Sequence, residues 1–247
     1  MREKISATII TRNEEQNIEK CLNSLLWVDE IVVVDSHSQD KTVDICKSKN
    51  CKIILTDWLG FGATKAFAVD SAANNWIISI DADEIVSEEL KKDILKLLEN
   101  PKFNSYLIKR KSYYLGKLIN YCGWNNDYPL RLFNKKFGNF NNKSVHESVI
   151  IEGERGKLQA PIFHFTYPTI SSHINKINRY SQLAAEALIN SEKKYSVTAA
   201  LFFGLNKFLK MYFLKFGFLD GREGFLLCFN SAIGVYLKYI KTWQRKL

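Results

Sequence analysis

No C-x-x-C pair occurs among the five cysteines, Cys21, Cys46, Cys51, Cys122 and Cys228. An odd, scattered set of thiols argues against a disulfide framework and against a zinc cluster, and fits a reducing, cytosolic setting. An apolar leader is missing as well: "MREKISATII" enters a strand-like run at once, with no cleavage-site pattern behind it, so no export signal is expected. There is no internal repeat, no low-complexity linker and no recognised nucleic-acid-binding signature. The apolar stretch "LFFGLNKFLKMYFLKFGFL" is interrupted by lysines and is read as falling short of a membrane span.

What remains is an ordinary globular composition. At 247 residues and 46% hydrophobic, the chain can bury a substantial core as one domain or a domain with an appendage. Its formal charge of +9 points to an anionic partner. Residues 195–247 hold six Lys and two Arg against Asp220 and Glu223, a local net of +6, so most of the excess sits in one tail.

The first hundred residues alternate between two periods. Strands are expected at 5–10, 30–35, 51–56 and 75–80, with helices at 13–27, 40–50 and 62–73 between them. Strands apolar on both faces and separated by helices predict a parallel sheet covered on both sides. In such sheets ligands bind beyond the carboxyl ends of the strands. Those ends carry Thr11-Arg12-Asn13-Glu14, Asp35-Ser36-His37-Ser38 and Asp81-Ala82-Asp83-Glu84. From about residue 100 the alternation stops. Residues 101–170 read as a mixed, aromatic-rich region beside the sheet, and 171–247 as a helical region.

The run "SIDADEIV" brings three carboxylates to the end of an apolar strand. Helix capping does not explain them, because Ser87 stands directly before "EELKKDILKLLEN" and suits the cap better. Strand alternation would put Asp81 and Asp83 on the same side, where like charges need a cation. A lysine cluster is one answer. A divalent cation holding a phosphorylated ligand is the preferred one, since Mg²⁺ and Mn²⁺ take few carboxylates plus phosphate oxygens.

"ATIITRNEEQNI", "DEIVVVDSHSQDKT", "GFGATKAFAVDSA" and "SIDADE" resemble, in this order, the GT-A fold glycosyltransferases of family 2. "RLFNKKFGNFNNKSVHESV", "PIFHFTY" and "YFLKFGFLDGREGF" extend the resemblance to lipopolysaccharide core β-1,4-glucosyltransferases. It implies an α/β, Rossmann-like, mostly parallel nucleotide-sugar domain with a C-terminal helical, amphipathic extension. Its halves would be residues 1–100 on the nucleotide-sugar side and 101–170 on the acceptor side, with 171–247 associating with membrane.

The resemblance further implies that Thr11, Arg12, Asn13 and Glu14 line the uridine and ribose pocket, that Asp35 contacts the nucleoside and that Lys65 lies near the donor. Asp81 would reach the ribose or sugar, and Asp83 would bind Mg²⁺ or Mn²⁺. Transfer in this family is inverting and needs a general base. Glu147 is the candidate and Glu84 the second choice. His146 and Glu147 are adjacent, so on a strand only one of them can face the acceptor.

His164 is a metal or phosphate contact or a half-buried strand histidine. Arg131, Arg179 and Tyr180 engage acceptor phosphates or form ion pairs, and Tyr113, Tyr114, Trp124 and Tyr128 stack on sugar or pack in the core. The sequon Asn142-Lys143-Ser144 carries no meaning in a cytosolic chain.

Lys207, Lys210 and Lys215 share one arc of an otherwise Phe- and Leu-rich helix, and Lys238, Lys241 and Arg245 form a second stripe. Both suit an anionic membrane surface. The expectation is therefore a cytoplasmic enzyme, peripheral on the inner face of the cell membrane. It would move glucose from UDP-glucose to a lipid-linked acceptor, an inner-core heptose of lipopolysaccharide, without nucleic acid. The rivals are a family 2 transferase acting on a polyprenyl phosphate or other glycan, and a catalytically silent nucleotide-sugar-binding protein.

Overall fold

The computed structural model describes residues 2–141, 147–189 and 195–245, so the 142–144 sequon and His146 lie outside the described residues. Two compact units divide the chain: Met1–Arg110 with Asp127–His164, and Lys111–Asn126 with Phe165–Leu247.

The first unit opens with the anticipated alternation: β1 (Ile5–Thr11), α1 (Ile18–Asn23), β2 (Glu30–Asp35), α2 (Thr42–Ser48), β3 (Lys52–Leu55), α3 (Phe61–Asp70) and β4 (Trp76–Ser79). β1, β2, β3 and β4 pair in parallel, in the order β3-β2-β1-β4. The direction of strand addition reverses between β1 and β4, which opens a crevice at their carboxyl ends.

α1 is shorter than its sequence pattern suggests, because its expected first turn is used otherwise. The amides of Asn13, Glu14 and Glu15 donate to Ser38 Oγ, Thr42 Oγ1 and Asp40 Oδ2 at 2.8, 2.8 and 3.1 Å. In return Asn13 Oδ1 accepts from the Gln39 amide, and Glu15 Oε2 from that of Lys41. Asn13 is left-handed, with φ 56°, which an α-helix does not allow. The loops after β1 and β2 are thus stapled together as one wall of the crevice.

A short strand, β5 (Glu84–Val86), then leads into α4 (Glu88–Leu97). Ser87 caps α4 as read from the sequence, its hydroxyl accepting from the Leu90 amide at 3.2 Å, with Glu88 and Glu89 in the first turn.

β6 (Ser105–Tyr114) carries the chain into the second unit, where β7 (Lys117–Leu118) pairs back on its end. The chain returns with β8 (Leu130–Asn134), which lies antiparallel between β4 and β6. β9 (Gly138–Phe140) and β10 (Val149–Ile151) form a separate hairpin. β11 (Gly156–Tyr167) pairs antiparallel with β5 before leaving for the second unit. The sheet is covered on both faces. Ile9, Ile78 and Leu132 pack with Ile18, Leu22, Leu90 and Ile94 in one cluster. Val32, Ile77 and Phe133 pack with Val69, Phe140 and Val149 in the other.

The second unit is built on α5 (Ile170–Ile189), α6 (Val197–Leu209) and α7 (Gly221–Gln244). α6 runs on through a π turn, Lys210–Leu214, and a 3₁₀ turn, Gly217–Asp220, connects it to α7. α6 and α7 approach closely at Gly204, where a Cβ would stand 3.2 Å from Ala232 O and from Tyr236 Cβ.

Two observations correct the reading of this region. Val197–Leu214 forms one helical rod of 18 residues, long and apolar enough by length and composition to cross a membrane. It reaches that length because the π turn continues the helix through the lysines instead of breaking it. Two members of the second basic stripe, Lys241 and Arg245, are in turn occupied within the unit. Lys241 Nζ donates to Asn178 O, Asn178 Oδ1 and Ser181 Oγ at 2.9, 2.7 and 2.8 Å, and Arg245 pairs with Glu186 at 3.2 Å. These groups fasten α7 to α5.

The "FLDGREG" segment is a staple. Asp220 is buried, and its carboxylate accepts the amides of Asn120 and Tyr121 at 3.0 and 2.8 Å. Gly224 has no room for a side chain, since a Cβ would lie 2.1 Å from Gly217 O. Tyr113 stacks on Phe165, while Tyr114 is fully buried with its hydroxyl 3.0 Å from His173 Nδ1, so both pack inside this unit. Burial first, and Lys176 second, push the His173 imidazole down to about 4, which keeps it neutral at ordinary pH.

Asp220→Ala removes the acceptor of two part-buried amides and is expected to lower stability by about 2 kcal/mol. Chemical denaturation monitored by circular dichroism checks this, with Glu223→Ala, which removes only a partly exposed pair with Lys117, expected to cost about 0.5 kcal/mol or less.

Candidate active site

β8 brings a cation to the end of β4. Its register with β4, Ile77 opposite Phe133 and Ile78 opposite Leu132, sets Arg131 beside the turn that follows Ser79. Arg131 is 5% exposed, and a buried guanidinium requires acceptors. It finds them in Asp81, which one of its terminal nitrogens contacts, and in Glu84 Oε1 at 2.7 Å.

Glu84 is fully buried, and both its oxygens are engaged. Oε1 also pairs with Arg110 at 3.3 Å, and Oε2 accepts the Asp81 amide at 3.0 Å. Arg110 in turn donates from Nε to Asp127 at 2.7 Å. Arg110 and Asp127 carry no signal in the sequence. Arg131 carries one, as a lone charge inside the apolar run "PLRLF".

Lys65 completes the cluster from α3. It is nearly buried, and its ammonium lies 2.9 Å from Asp81 Oδ1 and 3.0 Å from Glu147 Oε1. Burial works to raise the Asp81 carboxyl, but Arg131 and then Lys65 overcome it and hold the group well below the usual carboxylate range. The same pairing, against burial, drives Arg131 above its ordinary value. Cys21 lies beneath, its thiol donating toward Asp81 O at 3.6 Å; burial and the nearby carboxylates push it well up, so it stays protonated and is no nucleophile.

The turn separates the two aspartates that strand alternation would have put on the same side. The Glu84 amide donates to Asp81 O at 2.9 Å, which closes the turn. Asp83 then takes a different partner from Asp81: its Oδ2 lies 3.2 Å from His164 Nε2. Antiparallel pairing of His164 with Glu84 in register brings this pair together. Asp83 supplies the carboxylate oxygen that Mn²⁺ or Mg²⁺ takes, and its contact with His164 adds an imidazole nitrogen, a ligand foreign to oxygen-seeking Mg²⁺. Among the described residues no group of three His, Cys, Asp or Glu side chains gathers as a metal cluster.

The residues expected on the nucleotide side stand at the ends of β1 and β2 and on the stapled loops. Thr11 ends β1 with its hydroxyl buried and unpartnered, and so does the Ser36 hydroxyl after β2. Arg12 and Asn13 are exposed. Glu14 accepts from Asn17 Nδ2 at 2.8 Å, and Asp35 is buried with Ser38 as its donor.

Lys65, Asp81, Arg131 and Glu147 face a cleft of about 400 Å³ whose far wall includes Tyr128 and Arg155. Tyr128 is held there by Lys157, 3.6 Å above its ring, and by a hydrogen bond from its hydroxyl to Gln159. The arrangement presents a carboxylate with an open side, an ammonium and a guanidinium to one ligand-sized space, next to a separate carboxylate–imidazole pair.

The family described as Glycosyl transferase family 2 matches residues 6–154, which contain Lys65, Asp81, Asp83, Glu84, Arg131 and Glu147 but stop short of Arg155 and His164. The chain belongs to glycosyltransferase family 2. An uncharacterized glycosyltransferase of Rickettsia typhi is 34% identical over 99% of this chain and 88% of its own length. The lipopolysaccharide core biosynthesis glycosyltransferase LpsC of Rhizobium meliloti is 29% identical over 98% and 92%. Among solved structures, TarS of S. aureus superposes with a TM-score of 0.50 at 18% identity, covering 89% of this chain and 46% of that one. The likeness is one of fold, and this glycosyltransferase has the GT-A-like arrangement with a helical C-terminal region.

In this family 2 enzyme, Asp81→Asn is expected to cost about 3 kcal/mol at neutral pH, because it leaves buried Arg131 with a single carboxylate. Since the folded-state pKa is depressed, the contribution is complete above the unfolded carboxyl value of about 4 and is lost as pH falls through the lower folded value. Denaturation curves for the two proteins should thus differ by a constant amount above about pH 5 and converge in stronger acid.

Proposed function

We propose that this glycosyltransferase transfers glucose from UDP-glucose, with inversion, to an inner-core heptose of lipopolysaccharide at the inner face of the cell membrane. The observation that carries the reading is the meeting of Glu147, Lys65 and Asp81 in one cleft at the carboxyl ends of β1 and β4. Similarity to LpsC over nearly the whole chain supports the acceptor class.

In this scheme the stapled loops, with Thr11, Arg12, Asn13, Glu14 and Asp35, receive the uridine and ribose. The orphaned hydroxyls of Thr11 and Ser36 are groups a nucleoside would satisfy. Asp83 and His164 would hold Mg²⁺ or Mn²⁺, which when bound neutralises charge on the leaving diphosphate. Lys65 lies close enough to Asp81 to serve both the donor and the carboxylates.

Glu147 acts as general base: it takes the proton of the acceptor hydroxyl as that oxygen bonds to the anomeric carbon. The bond from that carbon to the diphosphate oxygen breaks, and its electron pair leaves with UDP. Glu84 does not serve this role in the scheme, because both its oxygens are committed to Arg131, Arg110 and a backbone amide. A polyprenyl phosphate acceptor would use the same residues; two spanning helices would favour it, and the described residues hold one candidate, Val197–Leu214.

The test is UDP release from a panel of UDP- and GDP-sugars with lipopolysaccharide core or polyprenyl phosphate as acceptor. The reading expects UDP-glucose and core acceptor together to give UDP in Mn²⁺ or Mg²⁺. EDTA should abolish the reaction, and Asp83→Asn should require more metal for half-maximal rate. Turnover with another donor, or only with the polyprenyl phosphate, would replace the corresponding half of the proposal.

A further inference from the structure

α6 of the second unit has three faces. Ala200, Gly204 and Met211 are buried, and Phe208 packs on the core formed with α7. Leu201, Phe202, Leu205, Leu209 and Phe213 recur at helical spacing along another face, and all are exposed, Phe202 at 63%. At about 100° per residue they cover roughly a third of the helix surface as one apolar strip. Lys210, exposed, flanks the strip, and Lys207, also exposed, lies on the opposite side of the helix.

The strip does not stop at the helix end. Leu214 is 72% exposed, and Phe216, Phe218 and Leu219 follow it around the turn, all exposed. Phe216 is left-handed, with φ 53°, a conformation disfavoured for a bulky residue. Gly217, next to it, is wedged against two thiols: a Cβ there would lie 2.7 Å from Cys228 Sγ and 3.0 Å from Cys122 Sγ. The corner presents aromatic rings to the outside. Lys215 and Arg222 are exposed beside it, whereas Asp220 is buried and Glu223 is paired with Lys117. The patch is apolar, bordered by cations, and has no exposed, unpaired acid at the corner.

We infer that this strip and corner are a monotopic membrane-docking surface that inserts into the headgroup and upper acyl region of an anionic bilayer with α6 lying in the plane. Charge complementarity selects the partner, since a lysine-bordered Phe and Leu strip matches anionic headgroups over acyl chains. In-plane insertion is favoured over spanning by Lys207, which lies near the middle of the 18-residue rod and would sit at the bilayer centre if the rod crossed. This inference specifies how the chain reaches the membrane of the proposed function, but it rests on exposure and charge alone. It can fail or hold independently of the reaction.

The experiment is flotation of the full chain with phosphatidylcholine vesicles containing none or about a third phosphatidylglycerol. Binding is expected to the anionic vesicles and to weaken in high salt. Phe202→Ser with Phe213→Ser, both at exposed positions, should weaken it by about tenfold or more with an unchanged thermal midpoint. Lys210→Glu with Arg222→Glu should weaken it at least about fivefold for each charge, on anionic vesicles only. Phe213→Trp should give a blue-shifted emission on binding that bromolipids quench. No binding to either vesicle overturns the inference. It is equally overturned if sedimentation shows a dimer that the double Ser variant dissociates while vesicle binding is absent, because the strip would then join two copies. Emission quenched only by bromines at the bilayer centre would replace in-plane insertion with a span.

Discussion

Arg131 is the constraint on which the site depends. A guanidinium almost closed off from water must be matched by carboxylates, and here it joins two of them, Asp81 on the turn after β4 and Glu84 at the start of β5. That one cation ties the antiparallel strand β8 to the end of the parallel layer. It also fixes the turn between the aspartates, so that Asp81 meets Lys65 while Asp83 meets His164. Like charges that would repel on a plain strand end are distributed to separate partners. Burial of the network has little worth as stability in itself, since paired buried charges roughly balance their desolvation. Its value is positional: Lys65 and Glu147 are held together at the cleft.

The positive charge of the chain has two different uses. Lys65, Arg110, Arg131, Lys241 and Arg245 are engaged by acids or carbonyls and serve as internal ties. Lys210, Lys215 and Arg222 are exposed next to exposed Phe and Leu. Formal charge does not separate these groups, but partners do. The second set alone makes a surface whose composition is unfavourable in water and favourable at an anionic interface.

Local physics made much of the fold legible. The β1–α3 alternation follows from apolar runs of strand length separated by amphipathic segments, and the Ser87 cap from a hydroxyl before an acidic first turn. The convergence of Thr11, Asp35 and Asp81 follows from the parallel-sheet rule. What was hidden depends on contacts between distant segments. Arg110–Asp127 and Arg131–Glu84 arise from antiparallel pairing whose register no local pattern reports. The α1 start was misjudged because the residues before it spend their amides on the loop after β2. Lys241 looked like a surface cation because its acceptors, Asn178 and Ser181, lie some sixty residues earlier.

The claim that Glu147 is the base, held at the cleft by Lys65 without being the donor's anchor, is tested most directly by separating binding from turnover. Glu147→Gln keeps the shape of the side chain and removes its basicity. The account predicts donor affinity within about threefold of the unaltered enzyme by calorimetry, together with a fall in kcat of roughly 10²–10⁴. An unchanged kcat, or a loss confined to donor affinity, would contradict it.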